Sequence, residues 1–286
     1  MSTALRLAIQ KSGRLTDASR ALIAECGIEL EQMGGKLRAP AFNFPLELLF
    51  LRDDDIPGYV VDGVVDVAIV GRNVLLERGS NAEIVRELGF GRCRLSIAVP
   101  KGFEYSGIQS LQGARIATSY PRILGAFLKR NEVEAYIHEI TGAVEIAPSL
   151  GLGEAICDLV SSGSTLLSNG LREVETVLES QAVLIANKGL SVKKRAVLER
   201  VIFRIDAVLR AKRTKYIMLN APTSAIPEIV SLLPGLKSPS VLPLHTPGWS
   251  SLHTVVSEDD FWSMIEKLKG AGAEGILVLP IEKVIS

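Results

Sequence analysis

Residues 66–71 read Asp-Val-Ala-Ile-Val-Gly, and residues 158–163, 92 positions later, read Asp-Leu-Val-Ser-Ser-Gly. Each stretch is an acid, a short β-type run and a glycine, entered from an apolar segment and followed by another, NVLL at 73–76 and TLL at 165–167. A strand that ends on glycine and turns into an apolar helical pattern is the corner of an α/β unit. Two such corners point to two similar α/β lobes whose corners face one another across a cleft, although acid-strand-glycine also recurs by chance in α/β chains.

On either side, LRLAIQ (5–10), LELLFL (46–51), VDVAIV (65–70), RLSIAV (94–99), ARIATS (114–119) and CDLVS (157–161) read as buried strands alternating with helical patterns. Several are apolar on both faces, which predicts a parallel sheet covered by helices on each side. RLTDASRALIAECG (14–27) has apolar residues at helical spacing and stops on Gly27, and Pro121 suits the first turn of a helix. Two lobes joined by chain crossovers hold a ligand between them, as hinged binding proteins do.

After AVLIAN (182–187) a long amphipathic pattern places Leu190, Val197, Val201, Ile205 and Leu209 near one stripe and ends in a basic cluster. Beyond it, KYIMLN (215–220), TSAIPEIVSLL (223–233), SVLPLH (240–245), SLHTVVS (251–257), EDDFWSMIEKLKG (258–270) and GILVLP (275–280) read β, α, β, β, α, β. That order is the ferredoxin-like split βαβ arrangement, expected as a separate small domain. Asp259 and Asp260 at the front of its second helix and Lys267 and Lys269 at its back complement the macrodipole.

The 286 residues include 32 basic and 32 acidic side chains, so there is no electrostatic footprint for a nucleic-acid backbone or an anionic membrane. Hydrophobic residues make up 47% and charged residues 22%, the balance of a chain that folds. No run reaches the ~18 apolar residues of a membrane span, and MSTALRLAIQKSGRL has no apolar signal core, so the expectation is a cytoplasmic protein. Cys26, Cys93 and Cys157 are scattered in apolar segments and read as reduced, buried thiols. His138, His245 and His253 lack ligand-type spacing, leaving no metal ligands to name, while a Mg2+ carried by a substrate fits.

The loop Ser161-Ser162-Gly163-Ser164-Thr165 is the first candidate for chemistry. N–H groups at a helix start are unsatisfied and favour an anion, Gly163 allows a tight turn and close approach, and the hydroxyls donate hydrogen bonds. A phosphate fits. Asp158 repels a phosphate if aimed at it and serves better against sugar hydroxyls or a hydrated cation, so the pair of features points to a sugar phosphate. The competing reading is a plain serine or threonine N-cap. Gln10-Lys11-Ser12-Gly13-Arg14-Leu15 ends the first strand, where α/β sheets bind ligands, so Lys11 and Arg14 either meet a polyphosphate or are solvated surface cations. Asp53-Asp54-Asp55 before Ile56-Pro57-Gly58 is expected to cap the helix that follows. No serine or cysteine pairs with a histidine in sequence, so covalent catalysis is not implied.

Glu145, Gly151, Gly153, Ile156, Asp158, Ser162-Gly163 and Thr165-Leu166 together resemble the signature of ATP phosphoribosyltransferase, the first enzyme of histidine biosynthesis. QKSGRL (10–15), RDDDIPG (52–58), DGVVDVAIVG (62–71), RIATSYP (115–121), KYIMLNAP (215–222) and ILVLPIEK (276–283) resemble further blocks of that family, end to end. The terminal segment is similar to that of the long form, which carries its own regulatory module where the short form uses a partner subunit.

The resemblance implies an α/β fold with a two-lobed, periplasmic-binding-protein-like catalytic region and a C-terminal ferredoxin-like, ACT-like regulatory domain. Residues 1–94 and 182–211 then form lobe I, 95–181 lobe II with the phosphoribosyl loop, and 212–286 the regulatory domain. The implied reaction joins N1 of the adenine of ATP to C1 of phosphoribosyl pyrophosphate, with Mg2+ assisting departure of pyrophosphate. The implied residue roles are Asp158 on the ribose hydroxyls, Ser161, Ser162, Gly163, Ser164 and Thr165 around the 5-phosphate, and Lys11 and Arg14 against pyrophosphate or ATP phosphates. Arg14, Leu15 and Tyr120 would meet ATP, Tyr120 stacking on adenine. Histidine is the implied inhibitor, held between small domains of a homo-oligomer, dimer or hexamer, with the hexamer the inhibited state. The rival expectation is a two-lobed binder of a small anion or amino acid without turnover.

Overall fold

The computed structural model describes residues 4–31, 37–233 and 238–285. The chain separates into two units, Met1–Ala24 with Ile28–Leu198, and Glu25–Gly27 with Glu199–Ser286.

The first unit holds two sheets. In one, β1 (Leu5–Gln10) lies between β3 (Leu46–Leu51) and β4 (Val67–Gly71), with β2 (Arg38–Pro40) outside β3, and β11 (Ala182–Ala186) and β5 (Glu83–Glu87) outside β4. In the other, β9 (Ala155–Val160) lies between β6 (Cys93–Pro100) and β7 (Arg115–Thr118), flanked by β10 (Leu171–Ser180) and β8 (Tyr136–Glu139). The helices are α1 (Arg14–Glu25), α2 (Ile56–Val61), α3 (Arg72–Glu77), α4 (Pro121–Arg130) and α5 (Ser164–Ser168), and the long α6 (Val192–Lys212) belongs to the first unit through Leu198 and to the second from Glu199.

Both sheets are mixed, which corrects the expectation of a parallel one. β1 runs parallel to β3 and β4, and β7 parallel to β8 and β9, but β11 is antiparallel to β4 and β5, and β6 to β9 and β10. Of the reversed strands, β6 and β11 belong to the crossovers, while β2 is an edge strand antiparallel to β3. The chain leaves the first sheet after β5 and re-enters it after β10, where Gln181 alone separates β10 from β11. The double-sided apolar pattern nevertheless has the predicted meaning. In the second sheet Leu95, Ile97, Ile116 and Cys157 pack on one face, while Ala98, Ala117 and Ile156 pack on the other.

The two glycine corners differ in detail. β4 passes straight from Gly71 into α3, whereas three loop residues, Ser161 to Gly163, separate β9 from α5. Their hydrogen-bond partners also depart from the symmetric picture. Ser161 accepts from Arg14, at the start of α1, while Asn73 of α3 donates to Tyr120, before α4. Each corner therefore meets a different corner of the other sheet.

In the second unit β12 (Thr214–Pro222), α7 (Ile226–Leu232), β13 (Ser240–Pro243), β14 (Trp249–Ser257), α8 (Glu258–Gly270) and β15 (Glu274–Pro280) form an antiparallel sheet ordered β13-β14-β12-β15. This is the ferredoxin-like topology. Ile217, Leu219, Leu252 and Val256 alternate onto the face covered by Ile229, Phe261, Met264 and Leu268. Ser257 caps α8 by accepting from the Asp259 N–H at 3.2 Å, with acids in the first turn and lysines in the last. Among the described residues no helix is long and apolar enough to cross a membrane.

Candidate active site

The hydroxyl-rich loop owes its path to Gly163, which sits at φ 80, ψ 0 and is the N-cap of α5. This left-handed geometry suits glycine. The N-cap position is Gly163, not a serine or threonine; Ser162 Oγ takes the Ser164 N–H only at 3.5 Å and pairs with Ser164 Oγ at 3.0 Å. With five residues α5 has little macrodipole to offer, so hydroxyls and loop N–H groups carry the anion affinity.

Residues 158–166 line a cavity of about 240 Å³ together with Arg14 and Glu145. Arg14 donates to Ser161 Oγ at 2.9 Å, and Arg94 donates to the Ser161 carbonyl at 3.3 Å. Arg94 is itself held in a fork by both oxygens of Glu173, to which Ser96 Oγ also donates at 2.8 Å. That fork holds the Glu173 carboxyl below its usual range despite some desolvation. Asp158 accepts its neighbour Leu159's N–H at 2.7 Å, yet its carboxyl is raised above the usual range, chiefly by burial and further by the charge of Glu145. The cavity thus holds an acid that gains from a hydroxyl donor or a cation beside it, next to a ring of hydroxyls and a guanidinium. Glu145 rides on the short turn Val144–Ile146, which starts from Ala143 at φ 50, a left-handed conformation costly for a non-glycine residue.

A larger cavity of about 570 Å³ shares Ser161 and carries Arg72, Arg92 and Arg94, with Cys93, Ser180 and Gln181 also on its wall. Sequence reasoning passed over these arginines. The available signal was the run Gly-Arg-Cys-Arg at 91–94, beside the lobe crossover. Leu15 reaches this turn: Gly91 has φ +63, and a Cβ on it would lie 2.4 Å from Leu15 Cδ2. Lys11 is exposed and lines neither cavity; its backbone N–H donates to Leu51 O at 2.8 Å. Tyr120 lines neither cavity, but burial, and secondarily the charges of Asp158 and Asp53, push its phenol up, against the Asn73 hydrogen bond.

Two further expectations are corrected. The acids at 53–55 form a tight turn of their own and cap nothing by side chain: Asp54 pairs with Arg78 at 3.1 Å, while a buried oxygen of Asp53 has no partner. Burial, then Asp54, raises the Asp53 carboxyl to about 6. Cys26 and Cys157 are buried thiols, but Cys93 is only half-buried. Among the described residues a serine-histidine contact lies in the second unit, where Ser251 Oγ is 3.1 Å from His253 Nε2 and Tyr216 OH 2.8 Å from Nδ1. A tyrosine there, with no carboxylate, is not the acid partner of a nucleophilic triad.

A sequence model described as ATP phosphoribosyltransferase matches residues 52–207, and one described as the HisG C-terminal domain matches 211–283. The ATP phosphoribosyltransferase of Cytophaga hutchinsonii is 62% identical over 285 residues, covering 100% of both chains. Among solved structures, a chain of the ATP phosphoribosyl transferase HisG:HisZ complex from Thermotoga maritima matches with TM-score 0.60 and 27% identity, over 71% of this chain and 98% of that one. The substrate-binding protein of an amino acid ABC transporter matches with TM-score 0.50 and 12% identity, over 73% of this chain and 94% of that one, a likeness of fold alone. With both the enzyme and the C-terminal sequence models matched along one chain, this protein belongs to the ATP phosphoribosyltransferase family, in its long form.

Proposed function

We propose that this chain transfers the phosphoribosyl group of phosphoribosyl pyrophosphate to N1 of the adenine of ATP, giving phosphoribosyl-ATP and pyrophosphate, the first step of histidine biosynthesis. The observation that carries the reading is the cavity in which Asp158, Arg14 and the loop Ser161, Ser162, Gly163, Ser164 and Thr165 converge. The 5-phosphate lies on the loop, and Asp158 accepts hydrogen bonds from the ribose hydroxyls. Those hydroxyls supply the donors that a desolvated carboxylate lacks.

In the reaction the N1–C1 bond forms as the C1–oxygen bond to pyrophosphate breaks, with positive charge spread over the ribose ring. Such a step needs alignment and stabilisation of the leaving anion more than a strong base. Arg14 borders the loop, and Arg72, Arg92 and Arg94 wall the adjoining cavity, where ATP phosphates or departing pyrophosphate meet cations. Lys11, exposed at the end of β1, and Leu15 and Tyr120 complete the proposed set, Lys11 toward phosphate and the other two toward ATP.

A Mg2+ carried by the substrates' phosphates would offset their charge. Among the described residues no group of three or more His, Cys, Asp or Glu gathers to hold a metal, and the pair Asp158 and Glu145 matches the one or two carboxylates a protein adds around phosphate-bound Mg2+.

The proposed division of labour is lobe I at 1–94 and 182–211, lobe II at 95–181, and a regulatory domain at 212–286 that binds histidine between subunits of a cytoplasmic homo-oligomer, the hexamer being inhibited. The test is a coupled pyrophosphate-release assay. Release is expected only when ATP and phosphoribosyl pyrophosphate are both present, and added histidine should depress it. Binding of either substrate with no release from the pair overturns the enzymatic reading.

A further inference from the structure

Helix α4 begins without a cap of its own. Tyr120, its N-cap, makes no side-chain capping bond, and the first free N–H groups of the helix look for an acceptor elsewhere. They find it on α3, which follows β4 of the other sheet. The Arg122 N–H donates to Glu77 Oε1 at 2.9 Å and the Ile123 N–H to Glu77 Oε2 at 3.0 Å, so one carboxylate at the end of α3 closes the N-terminus of α4. One turn earlier on the same face of α3, Asn73 Nδ2 donates to the Tyr120 hydroxyl at 3.2 Å. The turn after α3 joins in: Gly79 stands at φ +59, and a Cβ there would meet the Arg122 guanidinium at 2.2 Å.

Asn73 is itself fixed. It is 5% exposed, its N–H donates to Ser180 Oγ at 3.0 Å, and Ser180 Oγ donates back to Asn73 Oδ1 at 2.9 Å. Ser180 is the last residue of β10, next to the crossover that returns the chain to the first sheet. With Oδ1 engaged by serine, the amide nitrogen faces Tyr120, and the phenol hydrogen is left over for another acceptor.

We propose that α3 is a clasp between the two sheets in which Glu77 is a positioning residue: by capping α4, which follows a strand of the other sheet, with Asn73 as second point, it fixes Tyr120 for the acceptor nucleotide. The proposal rests on the reading of Tyr120 as part of the ATP site. It assigns Glu77 no contact with substrate and no role at the phosphoribosyl loop.

The experiment compares wild type with Glu77→Ala, Glu77→Gln and Tyr120→Ala in the full chain, reading KM and kcat for ATP, calorimetric binding of phosphoribosyl pyrophosphate alone, and Tm. Loss of a charged helix cap is expected to raise the ATP KM about tenfold in Glu77→Ala, while affinity for phosphoribosyl pyrophosphate stays within about twofold. Glu77→Gln, which keeps one acceptor oxygen, should fall between and serves where the alanine variant folds poorly. A merely structural role would lower both affinities together with Tm, and that outcome, like an unchanged ATP KM in both Glu77 variants, overturns the clasp. If Tyr120→Ala itself leaves the ATP KM unchanged, the assignment of Tyr120 to ATP falls and the clasp with it; if Tyr120→Ala raises it and the Glu77 variants do not, the clasp alone falls.

Discussion

At the scale of single residues, Gly163 and Asp53 allow sharp predictions. A Cβ added at Gly163 would find its nearest neighbour, Val160 Cγ1, 3.9 Å away, so space does not forbid a side chain; the φ of +80 does. Gly163→Val is therefore expected to weaken calorimetric binding of phosphoribosyl pyrophosphate at least about tenfold, from ~1–3 kcal/mol of backbone strain, whereas Gly163→Asn, which tolerates left-handed geometry, should lose much less. Equal losses would point to side-chain bulk instead. Asp53, raised from 3.8 to about 6 by burial and by Asp54, stores a pH-dependent penalty. Between those values the folded state holds the proton and the unfolded state does not, so stability falls as pH rises through that window and the full penalty persists above it. Asp53→Asn should raise Tm at pH 8, with the gain shrinking as the pH is lowered toward 4; a gain independent of pH would refute burial of the charge as its cause. The loop was readable in sequence because its chemistry is contiguous, five residues of hydroxyl and glycine. Its brace was not, since Arg94 and Glu173 are 79 positions apart and only the β6 and β10 pairing brings them together.

At the scale of elements, the long helix α6 is fastened to the first sheet by an ion pair between a half-buried lysine and a buried aspartate. Lys194 donates to both oxygens of Asp66 at 2.7 Å, and Asp66, 4% exposed, also accepts the Arg6 N–H at 2.8 Å just before β4 begins. The first acid of the repeated pattern is thus a structural anchor, while its counterpart Asp158 faces a cavity. Lys194→Ala leaves a buried carboxylate with only the Arg6 N–H and a distant guanidinium, Nε at 3.7 Å, and should destabilise by about 2 kcal/mol, a fall of ~5 °C in Tm. Adding Asp66→Asn should recover part of that loss; an additive double variant would show that the pair does not couple. Strands with continuous apolar runs, such as β1, β3 and β4, declared themselves in sequence. β5, β8 and β10 did not: LREVETVLES (171–180) interleaves charges with apolar residues because the strand lies at a sheet edge and is mostly half-buried. Edge position is a tertiary fact that no local pattern encodes.

At the scale of the whole chain, the proposed site side chains all belong to the first unit, from Lys11 in β1's wake to Thr165 in α5, while the second unit has its own sheet, the helices α7 and α8, and its own core. The ferredoxin-like order of that unit was legible because its elements are short, local and punctuated by proline and glycine. An inhibitor acting through it must favour one state of the assembly, since a ligand shifts an equilibrium only by its difference in affinity between states. Two measurements follow for the proposed histidine control. A chain ending near Arg210 should still release pyrophosphate from the two substrates but lose inhibition by histidine, at some loss of Tm because Val201, Ile205 and Val208 of α6, all buried, belong to the second unit. In the intact chain, hydrogen exchange with histidine present should gain protection within 212–286. Inhibition retained by the shortened chain, or protection confined to residues before 199, would move the inhibitor to the first unit, where the two cavities already described are the places to look for it.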